Sequence, residues 1–428
     1  MSIGILGGGL SGLALQRFLN VDSEVLEKED RVGGLCRTFD KDGFKYDVGG
    51  HILFSKNEQI MDFVKSELGD NKNECKRKND IFFKDRFVKY PFENGLGALD
   101  KEDIYDCLIG FLQNDYKKPE NFNDWIYYTF GKGIAEKYLV PYNKKIWKTP
   151  LEEMSLEWVE RVPRPPVEDV VKSALGIETE GYVHQLYFYY PTNGGIEGLI
   201  NAMVRNTNKS TSKITVNYEI NKITKNNDKW IVSDGKCEKE YDKLVVTIPV
   251  KEVVKYIDNI PENVLKAVSS LRHNTVRVVL VGVNNESLFD KSAIYIPSMD
   301  VIPHRVCYMG YFSKNNVPNG KSSLMAEITT NKGHELYNVS DGVLSEMIVN
   351  DMHKLGFISK QDVVAADVKN LEYGYVVYDT DYYKNVKIVR DYFSSIGIIL
   401  HGRFAEFDYI NMDEVIRRSM VLGEKLRG

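Results

Sequence analysis

The first thirty residues alternate between apolar runs and glycine-rich or polar breaks: SIGIL, GGGLSG, LALQRFLN, then SEVLEKE. A strand, a glycine turn, a helix and a second strand make a βαβ opening. Between residues 98 and 150 apolar and aromatic positions recur every three to four residues, in KEDIYDCLIGFLQN and NFNDWIYYTFGKGIAEKYLVPYN, which predicts a mainly helical region. From about residue 180 the pattern turns to strands. VHQLYFYYP, KITVNYEINKI, KWIVSD, LVVTIP, TVRVVLVGV, AIYIP, RVCYMGYF and SSLMAEIT read as β, with KWIVSD following a short polar turn as in a hairpin. The polar stretch NKNECKRKND at 71–80 reads as a solvated loop.

At 428 residues the chain is long enough for two or three structural domains, and its 43% hydrophobic and 27% charged content is that of an ordinary globular protein. A net charge of -5 argues against a nucleic-acid partner, which calls for a basic excess. Cys36, Cys75, Cys107, Cys237 and Cys307 are scattered without CxxC spacing or a histidine pair, so they read as reduced thiols and no metal site is expected. The opening strand carries no basic leader and no window of about 18 uncharged apolar residues follows, so a cytoplasmic protein without stable membrane insertion is expected. The 26 tyrosines exceed the usual needs of a core and point to an aromatic-lined cleft. Oligomeric state leaves no mark in the pattern.

Gly7, Gly9 and Gly12 form GxGxxG between the first strand and the first helix. In that setting the helix N-terminus aims free amides at a pyrophosphate while the glycines let the backbone approach it. Glu27, twenty residues after Gly7, is placed to accept the hydroxyls of a ribose. The second pair, Gly33 and Gly34 in EKEDRVGGLCRT, resembles the flavin-binding pattern of the glutathione reductase and amine oxidase superfamily and favours FAD over NAD. The resemblance implies an α/β fold: a discontinuous Rossmann-like FAD domain (1–65, 194–272 and 390–428), an inserted helical domain (95–178), and an antiparallel-sheet substrate domain (80–94, 179–193 and 273–389). VNYEINKI and LVVTIP are expected to be the strands that return to the FAD domain.

Four further stretches narrow the resemblance: DVGGHILFS at 47–55, VKYPFEN at 88–94, PYNKKIWKTP with WVERVPRPP at 141–166, and AIYIPSMDVIPHRVCYMGYF together with GRFAEFDYINMD. Together they resemble the UDP-galactopyranose mutase family over most of the chain. The resemblance implies that Gly50 and His51 lie beside the flavin ring, with Phe54 on the same loop at the substrate. Asn143 and Trp147 would contact substrate from one helix face, and Arg161 would sit on a mobile substrate loop. Arg305, Arg403, Tyr295, Tyr375 and Tyr409 would cradle the diphosphate. Tyr90 and Phe92 would flank the base, although Glu93 stands where the family has a glutamine and Gln185 where it has an asparagine. Ile220, Arg403, Met412 and Asp413 would complete the FAD site. Glu406 and Asp408 read as solvated surface.

The activity implied is a redox-neutral interconversion of UDP-galactopyranose and UDP-galactofuranose, supplying furanose sugars for glycan synthesis. It would run through a covalent adduct between the sugar and N5 of reduced FAD, with NAD(P)H as transient reductant. A related nucleotide hexose would serve the same machinery. The alternatives are an FAD-dependent amine oxidase or porphyrinogen-oxidase-type oxidoreductase, whose site would be largely apolar or built around an aromatic cage, and a non-catalytic protein resembling the GDP dissociation inhibitors, which would have lost its flavin.

Overall fold

The computed structural model describes residues 1–161, 165–180, 186–286 and 288–427; the side chains of Trp158, Glu160 and Arg161 lie outside that description. Among the described residues, five strands form a parallel sheet in the order Ile398–Leu400, Lys243–Val246, Ser2–Leu6, Asp22–Leu26, Ser212–Thr215. The alternation of each strand explains why it is buried on both sides: Ile3, Ile5, Val25 and Val245 face one core, and Leu6, Leu26, Leu244 and Val246 face the other. VNYEINKI is not one of these strands. Asn217 turns the chain with φ +56°, so the neighbour of Asp22–Leu26 is Ser212–Thr215, and Lys222–Asn226 instead opens an antiparallel ribbon with Lys229–Ser233 and Glu238–Tyr241.

The second sheet runs Val363–Val377, Arg272–Val283, Ser322–Thr330, Arg305–Tyr308, Ala293–Tyr295, Asn79–Phe83, Arg86–Lys89. It is antiparallel except where Ala293–Tyr295 meets Asn79–Phe83 in parallel, so the expected antiparallel sheet is in fact mixed. Residues 71–80 are not a loop. Asn73–Lys76 pairs with Tyr187–Tyr190 in a small separate sheet, and Asn79 and Asp80 belong to the mixed sheet. Short strands with polar outward faces are held here by their partners, not by an apolar pattern.

Helices Lys101–Leu112, Phe122–Ile134 and Val140–Trp147 pack around Phe92, Trp125, Phe130, Tyr138 and Trp147. The helix Met412–Arg427 returns to the parallel sheet, where its Gly423 packs against Phe18 and Arg427 Nε donates 2.8 Å to the Phe18 carbonyl. The fold is thus α/β, a Rossmann-like domain joined to a mixed sheet and a helical unit. No helix among the described residues is long and apolar enough to cross a membrane, and none of their His, Cys, Asp and Glu side chains group to hold a metal ion.

Candidate active site

A cavity of about 820 Å³ opens where the parallel strands end. Gly7 and Gly9 follow the first strand in chain order, Glu27 the second, Thr247 and Pro249 the fourth, and Arg403 the last, and all of them line it. Ligands of open α/β sheets bind at these carboxyl ends. The mixed sheet supplies the opposite wall through Tyr295, Arg305 and Cys307.

The glycine cradle is built by exclusion. Gly7 sits at φ +111°, and a Cβ there would come 2.7 Å from Thr247 Oγ1; at Gly12 it would come 2.1 Å from the Gly7 carbonyl oxygen. At Gly9 by contrast a Cβ would meet only Gly34 Cα, at 3.9 Å, so the backbone there is left accessible, as an approach to a bound phosphate needs. Gly33, at φ +124°, donates its amide to the Gly8 carbonyl at 2.8 Å, so the second glycine pair is laid backbone to backbone on the first, with Gly34 at the cavity wall. Glu27 is buried and accepts from the Gly8 amide at 2.7 Å and from the Glu29 amide at 3.0 Å, which fixes the carboxylate at the rim. Ile220, Met412 and Asp413 also line the cavity, the last two at the start of the C-terminal helix, and Ser55 Oγ donates to Asp413 at 2.7 Å. These residues fit a flavin dinucleotide: an open glycine turn, an acidic rim and two helix N-termini.

Gly50, His51 and Phe54 line the same cavity. Nδ1 of His51 is buried without a partner, and burial pushes the imidazole down to about 4, so it is neutral at pH 7. Arg305 and Arg403 both line the cavity. Arg403 stacks 4.2 Å over the Tyr409 ring, donates to the Gly374 carbonyl at 2.9 Å and keeps its buried Nε unpartnered. Arg305 forms a two-pronged ion pair with Glu327, at 2.9 and 2.6 Å.

Tyr90, Trp147, Tyr375 and Tyr409 are not in the cavity lining itself but join it through ring contacts, and Asn143 is tied to Trp147 by a hydrogen bond. Tyr90 stacks on Tyr295 with centroids 4.7 Å apart, and Trp147 stands edge-on to Tyr375 and Tyr409 at 6.2 and 6.3 Å. Trp147 Nε1 donates to Asn143 Oδ1 at 3.1 Å, so the helix pair expected at substrate is hydrogen-bonded to itself. Phe92 departs from its expected place beside a base: it has no exposed surface and stacks on Tyr138 at 5.2 Å in the helical core. The Arg161 side chain and Gln185 lie outside the described residues. Glu406 and Asp408 are not solvated; both are half-buried and pair with Arg418, at 3.1 and 2.7 Å.

Sequence reasoning missed Glu327, Arg77 and Asn79. The last two line the cavity, and Asn79 Nδ2 donates to the Tyr295 hydroxyl at 3.3 Å. Their signal was present as cationic and amide residues, but the stretch carrying them was read as a loop.

Residues 165–382 match the family of flavin containing amine oxidoreductases, and residues 5–66 match the NAD(P)-binding Rossmann-like domain. The chain belongs to the flavin-containing amine oxidoreductase family. Members of its fold include a reduced UDP-galactopyranose mutase, 24% identical with a TM-score of 0.89 over 99% of this chain and 95% of that one. An oxidoreductase from Methanosarcina mazei is 15% identical, with a TM-score of 0.70 over 99% of this chain and 100% of that one. Among curated proteins, coproporphyrinogen III oxidase from Staphylococcus aureus (strain NCTC 8325 / PS 47) is 20% identical over 467 residues, 99% of this chain and 98% of the relative. This flavin-containing oxidoreductase therefore has a superfamily fold whose cofactor end is recognisable and whose other wall must specify the substrate.

Proposed function

We propose that the protein is a flavin-dependent mutase acting on a nucleotide sugar, of the type that interconverts UDP-galactopyranose and UDP-galactofuranose. The observation that carries this reading is the pair of arginines in the cavity that holds His51: Arg305, with Tyr295, comes from the mixed sheet, and Arg403 from the end of the parallel sheet. An oxidase of apolar substrates has no use for two arginines there, whereas a departing nucleotide diphosphate must be held as its negative charge grows. Each charge-assisted hydrogen bond contributes about 1.5 to 3 kcal/mol. The fold shared with the mutase supports the same reading.

Bound FAD, once reduced, would supply the nucleophile, and NAD(P)H would serve as reductant. The protein's own residues then have positional tasks. Arg305 and Arg403 hold the diphosphate, Tyr295 and Tyr409 orient it, and neutral His51 packs beside the ring without adding a competing cation. Glu93 is buried, and burial raises its carboxyl to about 7, so at or below that pH it can be protonated and offer the hydrogen-bond donor that glutamine offers elsewhere in the family.

The deciding experiment is anaerobic. Dithionite-reduced protein incubated with UDP-galactopyranose or UDP-galactofuranose is expected to equilibrate the two, as read by chromatography, and the oxidised protein is not. Failure of both forms would sink the proposal. The second reading, an oxidase, draws on the full-length likeness to coproporphyrinogen III oxidase; oxidation of that porphyrinogen with oxygen consumption, and no sugar product, would favour it.

A further inference from the structure

Glu327 lies in the middle of the mixed sheet, on strand Ser322–Thr330, with no exposed surface. A carboxylate buried there costs several kcal/mol unless charge and hydrogen bonds compensate. Its compensation comes from two cavity-lining residues far apart in the chain, Arg305 and Gly50. Oε1 accepts from Arg305 Nε at 2.9 Å and from the Gly50 amide at 3.0 Å, and Oε2 accepts from Arg305 Nη2 at 2.6 Å. Burial alone would raise this carboxyl, but the Arg305 charge and these hydrogen bonds outweigh it and hold it below the ordinary range.

The loop is seated directly on the pair. A Cβ at Gly50 would lie 3.1 Å from Cys307 Sγ, 3.6 Å from Glu327 Oε1 and 3.7 Å from Arg305 Cζ. For stability alone an apolar pair of similar volume would serve as well. The ion pair does something that an apolar pair cannot. A guanidinium has five N–H groups in a rigid fork, and Glu327 takes two of them, leaving the others on a side chain that lines the cavity.

We propose that Glu327 is a positioning residue: one carboxylate fixes both the Arg305 guanidinium and the Gly50 amide, so that the cation meeting substrate and the loop meeting cofactor keep one relative geometry. The Arg305 half rests on the nucleotide-sugar reading; the Gly50 half does not.

The test is a double-mutant cycle on the oxidised holoprotein, with Glu327→Gln and Arg305→Ala, reading UDP affinity by calorimetry and the visible absorption of bound flavin. Glu327→Gln is expected to change the UDP Kd by about tenfold or more when Arg305 is present and by less than about twofold when it is alanine, since contacting residues couple. The flavin band should shift in both backgrounds, because the Gly50 tether is altered in both. Equal changes in UDP affinity with and without Arg305 would overturn the Arg305 half, and an unshifted band would overturn the Gly50 half. If the unaltered protein binds no UDP, the nucleotide reading and the Arg305 half fall together while the band still decides the tether. Should Glu327→Gln not accumulate, the charge-free pair Arg305→Met/Glu327→Leu is expected to give a folded flavoprotein with a shifted band, and an unshifted one overturns the tether.

Discussion

Arg403 combines a ring stack, a carbonyl contact and an unpartnered buried Nε at a cavity wall. Arg403→Ala should keep bound flavin and weaken UDP binding by about 1.5 to 3 kcal/mol, roughly ten- to a hundredfold, in calorimetric titration; unchanged affinity would remove it from the diphosphate site. Glu93 gives a pH-dependent prediction. Its folded-state carboxyl is raised to about 7 from an ordinary 4.5, so the stability tied to its protonated form is present below 4.5 and is lost as pH rises through 7. Glu93→Gln, which does not titrate, should therefore gain up to about 3 kcal/mol relative to the parent at pH 8 and little at pH 4 in urea denaturation. Among single residues, glycines and Glu27 were legible because their spacing encodes backbone geometry. Glu327 was not: in SSLMAEIT it is one acid in an apolar strand, and its partners are 22 and 277 positions away.

At the scale of elements, the opening strand and helix were legible because both obey their own periodicity. Gly12 shows how tightly they meet. With a Cβ destined for 2.1 Å from the Gly7 carbonyl oxygen, Gly12→Ala must push helix Leu10–Phe18 away from strand Ser2–Leu6. It should cost about 1 to 3 kcal/mol and lower flavin content, measured as the ratio of visible to ultraviolet absorbance in the purified protein. What escaped was pairing between distant short strands. Asn73–Lys76 is buried at only one position, Cys75, so nothing local distinguishes it from a loop; its partner 114 residues later does. The parallel contact of Ala293–Tyr295 with Asn79–Phe83 is equally non-local.

For the whole molecule, the cavity is lined from both the parallel and the mixed sheet, so a dinucleotide bound in it would add contacts that the apoprotein lacks. FAD at a hundred times its Kd should raise unfolding free energy by about 2.7 kcal/mol and lift Tm accordingly in a thermal melt, with the apoprotein as reference. The fold class was legible because the βαβ opening and the later strand series differ in period. The order of strands was less so, since the parallel sheet is collected from three distant stretches of chain. That collection also governs when the protein can exist. Synthesis at about 5 to 20 residues per second takes roughly 20 to 90 s for a chain of 428. Ser2–Leu6 emerges before its neighbours, yet it must wait for Lys243–Val246 beside it, for Ile398–Leu400 beyond that, and for the helix Met412–Arg427 to cover Phe18. The glycine turn is thus translated long before the sheet around it is complete, and a chain cut short before residue 398 would keep every glycine of the motif yet lose Arg403, Met412 and Asp413 from the cavity lining.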